Sequence, residues 1–180
     1  MLQTLRRLKE GPPRSFRDAL QLTWFYSAMT GGRDFGRMDV YLGDLYVQDL
    51  EAGTLTEEEA VTLLLSFYRL MTDSDSRDGR IVMGGLGRRN EKNADRVSLA
   101  IMKAAMRFRE LKPEFSLRMY DGLNEEVKAL AYEMLSDGMT YPLLFNDEAS
   151  VNAVMKMMRV DRKEAEQYGF FGCGDRKSVV

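Results

Sequence analysis

Histidine is absent from this chain of 180 residues, and cysteine occurs once, as Cys173. A single thiol cannot close a disulfide within the chain. A zinc site would lack the imidazole and thiolate ligands that usually build one. An iron–sulfur cluster would lack the several thiolates it needs. Catalysis by a Ser-His or Cys-His pair is excluded. Chemistry is left to carboxylates, to Cys173, or to reactions that are not acid–base at all.

A dominant charge and long apolar runs are missing too. Lys and Arg number 26 against 28 Asp and Glu, a formal net charge of −2. No half of the chain is strongly basic, so nucleic acid is not expected as a partner. No apolar run approaches the length of a membrane span. Arg6 and Arg7 have no apolar stretch behind them, so the N-terminus does not read as a secretory signal. The expected location is the cytoplasm, with no membrane partner.

What is present is a balance of 44% hydrophobic and 30% charged residues, that of a soluble globular domain with a core. The chain reads as a string of helices with a few short extended runs. Ser15 and Asp18 form an acidic variant of the capping box and predict a helix that Gly31-Gly32 stops. Trp24, Phe25 and Tyr26 on it read as core. A second helix begins near Arg37 and closes at Gly53. Thr56-Glu57-Glu58-Glu59 is a capping box with extra acid suited to a helix dipole, ahead of the run AVTLLLSFYRLM.

Residues 72–80 read as a loop and Ile81 to Met83 as a short strand before Gly84-Gly85. A helix is predicted from about Ala94 to Arg109, with Val97, Ala100, Ile101, Ala104 and Phe108 on one side and Pro113 breaking it. Residues 115–120 alternate apolar and polar, as a half-buried strand does. Asn124 caps a helix that Gly138 ends, and Pro142 to Phe145 is a short apolar run. A helix follows over 149–158, where Met155, Met157 and Met158 read as core filling. Asp161 with Glu164 opens a further turn. Last comes Tyr168-Gly169-Phe170-Phe171-Gly172-Cys173-Gly174, glycines interleaved with aromatics around the lone thiol. Such a composition suits a loop tip that presents one side chain into a crowded cavity.

Taken in order, the short motifs resemble those of glycyl radical enzymes of the pyruvate formate-lyase superfamily. Pro13-Arg14-Ser15-Phe16-Arg17 resembles the family's lead-in. Gly36-Arg37-Met38-Asp39, Asp49-Leu50, Gly53 and Leu55-Thr56-Glu57-Glu58-Glu59-Ala60 follow its G-R-hydrophobic-D, D-L, glycine and L-T-x-E-E-A series. Gly84-Gly85, Pro113 and Ser116-Leu117-Arg118 match the next group, and Gly138, Pro142 and Phe145-Asn146-Asp147-Glu148 the one after. Gly172-Cys173 stands where the family has its thiyl-cysteine loop. The resemblance covers about residues 12–174. One departure is Asp95, which occupies the asparagine's place in the family's D-A-T-N-E-L-S string.

The resemblance implies a helix-dominated α/β fold, a partial ten-stranded barrel of the glycyl radical enzyme type. It implies that Cys173 is the catalytic residue, whose thiyl radical takes a hydrogen atom from a small organic substrate. It further implies a glycyl radical installed by a partner activase with S-adenosylmethionine and an iron–sulfur cluster, no cofactor or metal held by this chain, and a homodimer for the full-length protein. Gly172 stands where true pyruvate formate-lyases have a second cysteine, so a lyase, dehydratase or decarboxylase branch is expected over acetyl transfer to coenzyme A. Residues 1–174 are expected to be part of the catalytic domain, lacking its N-terminal part and the C-terminal glycyl radical domain, and inactive alone. A non-catalytic helical interaction module is the rival reading.

Arg118, Asn146, Asp147 and Glu148 have two readings. They wall a cavity, or they form an arginine–carboxylate pair and a polar turn that caps the following helix; the second is favoured. Asp175 sits two residues past the cysteine, where dehydratase-like branches have a glutamate base. However, Asp175 to Val180 do not resemble the family. One back-translation of them is the start of a short-read sequencing adapter, so they are expected to be non-native and Asp175 is given no role.

Overall fold

The computed structural model describes residues 2–32, 34–73 and 79–169. In chain order the elements are α1 (Leu2–Glu10), α2 (Phe16–Thr30), β1 (Asp34–Arg37), α3 (Met38–Glu51), α4 (Glu57–Asp73), β2 (Arg80–Gly84), α5 (Glu91–Phe108), β3 (Phe115–Met119), α6 (Glu125–Ser136), β4 (Leu143–Asn146), α7 (Asp147–Met158) and α8 (Arg162–Ala165). The four strands form one sheet in the order β1-β2-β3-β4, each pair parallel. Parallel neighbours need crossover connections, which the intervening helices supply.

The helix starts are local chemistry. The Ser15 hydroxyl accepts from the Asp18 amide at 3.1 Å, but the Asp18 carboxylate does not close the box. It is buried and paired with Arg7 at 2.7 Å, tying α1 to α2. Asp49 of α3 accepts from the Phe16 amide, the first of α2, at 2.8 Å. At Thr56 the box is reciprocal: Thr56 N donates to Glu59 Oε2 at 2.8 Å and Glu59 N to Thr56 Oγ1 at 3.2 Å. Asn124 and Asp161 cap α6 and α8 as the sequence predicts. Gly31, Gly53 and Gly138 take left-handed conformations at or just beyond helix ends. Pro113 does not end α5: Arg109 does, at φ 53°, with its amide bonded to Ala105 O.

The core lies between the sheet and α2 to α6. Ile81, Met83, Phe115 and Leu117 point into it and meet Met38, Leu42, Leu64, Tyr68, Val97, Ile101 and Met134. Gly43 lets α3 and α5 close together: a Cβ there would sit 2.9 Å from the Ala94 nitrogen.

Side chains alternate along a strand, so Arg80, Val82 and Gly84 face the other way from Ile81 and Met83. The register Val82↔Ser116 and Gly84↔Arg118 puts Ser116 and Arg118 on that same second face. The half-buried expectation for β3 is therefore wrong. Ser116 and Arg118 are both fully buried, so each face of the strand is covered and one of them is polar. The sheet is thus apolar toward its helices and carries Arg80, Ser116 and Arg118 on its second, covered face.

Two other expectations fail at the surface. Trp24 packs edge-on to Phe67, but Phe25 and Tyr26 are exposed, and with Leu22 and Met29 they form a stripe along α2. They point away from α3 and α4, the helices that cover the other side. Met157 is 74% exposed and not core, while Met155 and Met158 are half-buried. Among the described residues no helix is long and apolar enough to cross a membrane.

Candidate functional site

In open parallel sheets, ligands and catalytic groups gather at the carboxyl ends of the strands. Here each strand ends on chemistry. β1 ends at Arg37 with Asp39 just beyond, β2 at Gly84-Gly85 with Arg88 beyond, β3 near Arg118 with Tyr120 beyond, and β4 at Asn146-Asp147.

These residues form one network. Asp39, the first acid of α3, is fully buried; its Oδ2 accepts from the Gly84 amide at 2.9 Å and its Oδ1 from the Val40 amide at 2.9 Å. Arg88 reaches the same carboxylate at 3.4 Å, Asp95 at 2.7 Å, the Gly85 carbonyl at 3.0 Å and the Tyr120 hydroxyl at 3.2 Å. The Asp95 departure thus gives Arg88 a carboxylate partner. Arg37 donates to the carbonyls of Gly84, Leu86 and Glu166 at 3.1, 3.2 and 3.2 Å.

Arg118 and Asp147 are the second centre, both fully buried. Arg118 Nε donates to Asp147 Oδ1 at 2.6 Å and Nη2 to Oδ2 at 3.3 Å. Asp147 also accepts the Leu86 amide at 2.6 Å and the Tyr168 hydroxyl at 2.7 Å. The other Arg118 donors reach the carbonyls of Glu166 at 2.9 Å and Tyr168 at 3.1 Å. The guanidinium carbon stands 3.9 Å from the centre of the Tyr168 ring. Gln167 adds a bond to the Gly87 carbonyl at 3.2 Å. Gly85 lies against this pair because nothing larger fits: a Cβ there would meet the Arg118 Cζ at 2.7 Å, at a backbone φ of 86°.

Electrostatics follow from burial. Burial pushes the Asp39 carboxyl up to about 6, against the opposing pull of Arg88, the Gly84 amide and Arg37. Burial, then Arg118, lowers Arg37 to about 10, with Asp39 opposing. For Arg88 burial works against the charge, but Asp39 and Asp95 together hold it above its ordinary value. Burial pushes the Tyr168 phenol up to about 12, and its donation to Asp147 adds to that while Arg118 opposes.

The raised Asp39 has a signed consequence. A carboxyl whose folded pKa stands above its unfolded value holds its proton more tightly when folded. Its favourable contribution is complete below the unfolded value of 3.8 and is lost as pH rises to about 6. That loss amounts to about 3 kcal/mol at most. The difference in urea-unfolding free energy between the native chain and Asp39→Asn should therefore fall across this window and be flat above it. Parallel profiles would mean that Arg88 and the Gly84 amide fully offset burial, leaving the folded carboxyl at its unfolded value.

The residues singled out from sequence divide cleanly. Arg118 and Asp147 meet as a buried pair. Asn146 accepts from the Ala149 amide at 2.9 Å and caps α7, and Glu148 lies at the surface, paired with Arg162 at 2.9 Å. The favoured structural reading holds for Arg118, Asp147 and the Asn146 cap, while Asn146 and Glu148 also line a cleft, as the other reading expected. Cys173 and Asp175 lie outside the described residues. Arg88, Tyr120 and the Tyr168 anchor went unread, although Arg37 and Asp39 stood in the quoted motif. A cleft of about 550 Å³ at the β3–β4 edge is lined by Tyr120, Lys128, Tyr132, Leu144, Asn146 and Glu148, and it touches the network at Tyr120.

A profile of the pyruvate formate lyase-like family matches residues 1–177. The chain belongs to the pyruvate formate lyase-like family. Relatives include glycyl radical enzymes. The (2S)-3-sulfopropanediol dehydratase of Klebsiella oxytoca is 25% identical over 96% of this chain and 23% of its own length. The 4-hydroxyphenylacetate decarboxylase glycyl radical subunit of Clostridioides difficile is 25% identical over 97% of this chain and 22% of its own length. A glycyl radical enzyme from Archaeoglobus fulgidus superposes with a TM-score of 0.76 at 21% identity, over 89% of this chain and 23% of that one. The fold is thus a helix-dominated part of a glycyl radical enzyme barrel, and the chain spans less than a quarter of the length of these relatives.

Proposed function

We propose that this chain is the part of a glycyl radical enzyme that carries the hydrogen-abstracting thiol, and that Cys173 is that thiol. The observation that carries the reading is the anchoring of residues 166–168 at the carboxyl ends of β2 and β3 by Arg37 and Arg118. Cys173 follows Tyr168 by five residues. At full extension that is at most about 18 Å of chain between the anchored Tyr168 and the thiol.

The chemistry is a homolytic exchange. The thiyl sulfur takes a hydrogen atom from a substrate carbon, the S–H bond forms, and the unpaired electron moves to that carbon. The protein's part is to hold donor and acceptor atoms close and to keep water out. The two curated relatives above are a dehydratase and a decarboxylase subunit. Together with Gly172 before the thiol, this favours elimination or decarboxylation over acetyl transfer. The substrate is a small organic molecule. The partner is a radical S-adenosylmethionine activase that installs the glycyl radical on the remaining length of the protein, so the chain alone is inactive. The full-length protein is a homodimer in the cytoplasm. The family match over residues 1–177 and the dehydratase and decarboxylase relatives support this reading over a non-catalytic helical interaction module.

The test is the full-length protein activated without oxygen. Cys173→Ser should keep the glycyl radical signal in electron paramagnetic resonance and lose substrate turnover by about a thousandfold or more. Turnover near the wild-type rate would end the proposal.

A further inference from the structure

We propose that Tyr168, Arg118 and Asp147 act as one positioning clamp that fixes the exit direction of the chain leading to Cys173; its link to catalysis rests on the reading of Cys173 given above. The clamp is three-cornered. The Tyr168 ring covers the Arg118 guanidinium at 3.9 Å, its hydroxyl donates to Asp147 at 2.7 Å, and Arg118 closes the third side on Asp147 at 2.6 Å. The same guanidinium holds the Glu166 and Tyr168 carbonyls, so side chain and backbone of one short segment are fixed by a single cation.

The sequence distance makes this a deliberate arrangement. Arg118 precedes Tyr168 by 50 residues and Asp147 precedes it by 21, so three separate elements contribute to the hold. A helix such as α8, only four residues long, cannot place the following chain by its own rigidity. Ordinary packing would bury an aromatic ring against hydrocarbon. Here the ring is set on a charge whose counter-ion also accepts the ring's hydroxyl, which fixes both the position and the rotation of Tyr168. A hydrogen-atom transfer needs its sulfur placed within a fraction of an ångström, and a loop apex achieves that only if its base is immobile. Tyr168 is therefore a positioning residue and not a catalytic one.

The experiment uses this chain, whose single cysteine takes a nitroxide label at one place without background. Amide exchange over residues 166–169 and the nitroxide line shape at Cys173 are read for the native chain, Tyr168→Ala and Tyr168→Phe, with circular dichroism checking the fold. Tyr168→Ala should speed exchange over 166–169 by roughly tenfold or more and narrow the nitroxide lines, while amides of β3 and α5 keep their protection. Tyr168→Phe keeps the ring on the guanidinium and should recover at least half of the lost protection. A folded Tyr168→Ala indistinguishable from the native chain overturns the clamp, and so does a Tyr168→Phe no better than the alanine. Failure of the thiyl assignment would show instead as turnover by Cys173→Ser in the full-length enzyme, which leaves these measurements untouched.

Discussion

Asp147→Asn should lower the unfolding free energy by about 3–5 kcal/mol, the cost of leaving a buried charge without its counter-ion. The side chain keeps its shape, so the loss is electrostatic and not a cavity. Asp147 accepts from Arg118 Nε and Nη2, from the Leu86 amide and from the Tyr168 hydroxyl. An amide offers one oxygen and one nitrogen. At least one of these donors would then face an N–H group, and Arg118, with no exposed surface, would keep its charge without a carboxylate. Surface pairs provide the contrast. Glu148 with Arg162 is roughly half exposed on both sides, so Glu148→Gln should change stability by less than about 1 kcal/mol. Urea unfolding of the two variants at neutral pH measures the difference. A loss below about 1 kcal/mol for Asp147→Asn would show that the carbonyls of Glu166 and Tyr168 suffice for the guanidinium.

Which of these features were legible in the sequence depends on the range of the interaction that creates them. Helix caps are four-residue events, and Ser15, Thr56, Asn124 and Asp161 announce themselves in the letters around them. β1 does not. Its four residues, Asp34-Phe35-Gly36-Arg37, show no periodicity, and Gly36 sits at φ 57°. They become a strand only because Arg80 and Val82, more than 40 residues on, supply the partner edge. The alternation in β3 correctly marks two different faces. What it cannot tell is whether water or protein covers the polar one, and that decided the half-buried error. The same applies to α2, where Phe25 and Tyr26 look like core until the packing leaves their side uncovered.

The site shows the same division. Arg118 and Asp147 could be suspected because an arginine and an acid stood in two family-like strings. Their union is set by the β3–β4 register, which brings Arg118 beside Phe145, two residues before Asp147. Arg88 had no such string, and its partners Asp39, Asp95 and Tyr120 come from three different elements or loops. The glycines at 84–85 stood in a family-like string, but they carry a physical signal as well. Paired glycines after a buried strand mark a close approach by something that tolerates no Cβ.

That close approach yields the second large effect. Gly85→Ala should destabilise the chain by about 3 kcal/mol or more, by strain plus displacement of Arg118. The backbone at Gly85 has φ 86°, which an alanine adopts only at a cost of about 1–2 kcal/mol. The new methyl would stand 2.7 Å from Arg118 Cζ and 3.0 Å from its Cβ. The guanidinium cannot simply swing away, because its Nε is held by Asp147 on one side and its face is covered by Tyr168 on the other. Gly138→Ala is the internal control. Gly138 has a similar φ of 78° but nothing within 4 Å of a Cβ, so it should show the backbone cost alone. Both Gly85→Ala and Asp147→Asn act by separating one cation from one carboxylate. Their double variant should therefore lose less than the sum of the two single losses, by at least about 1 kcal/mol. Strict additivity would mean that the methyl group is accommodated by moving the Gly84-Gly85 turn, leaving the Arg118–Asp147 pair intact.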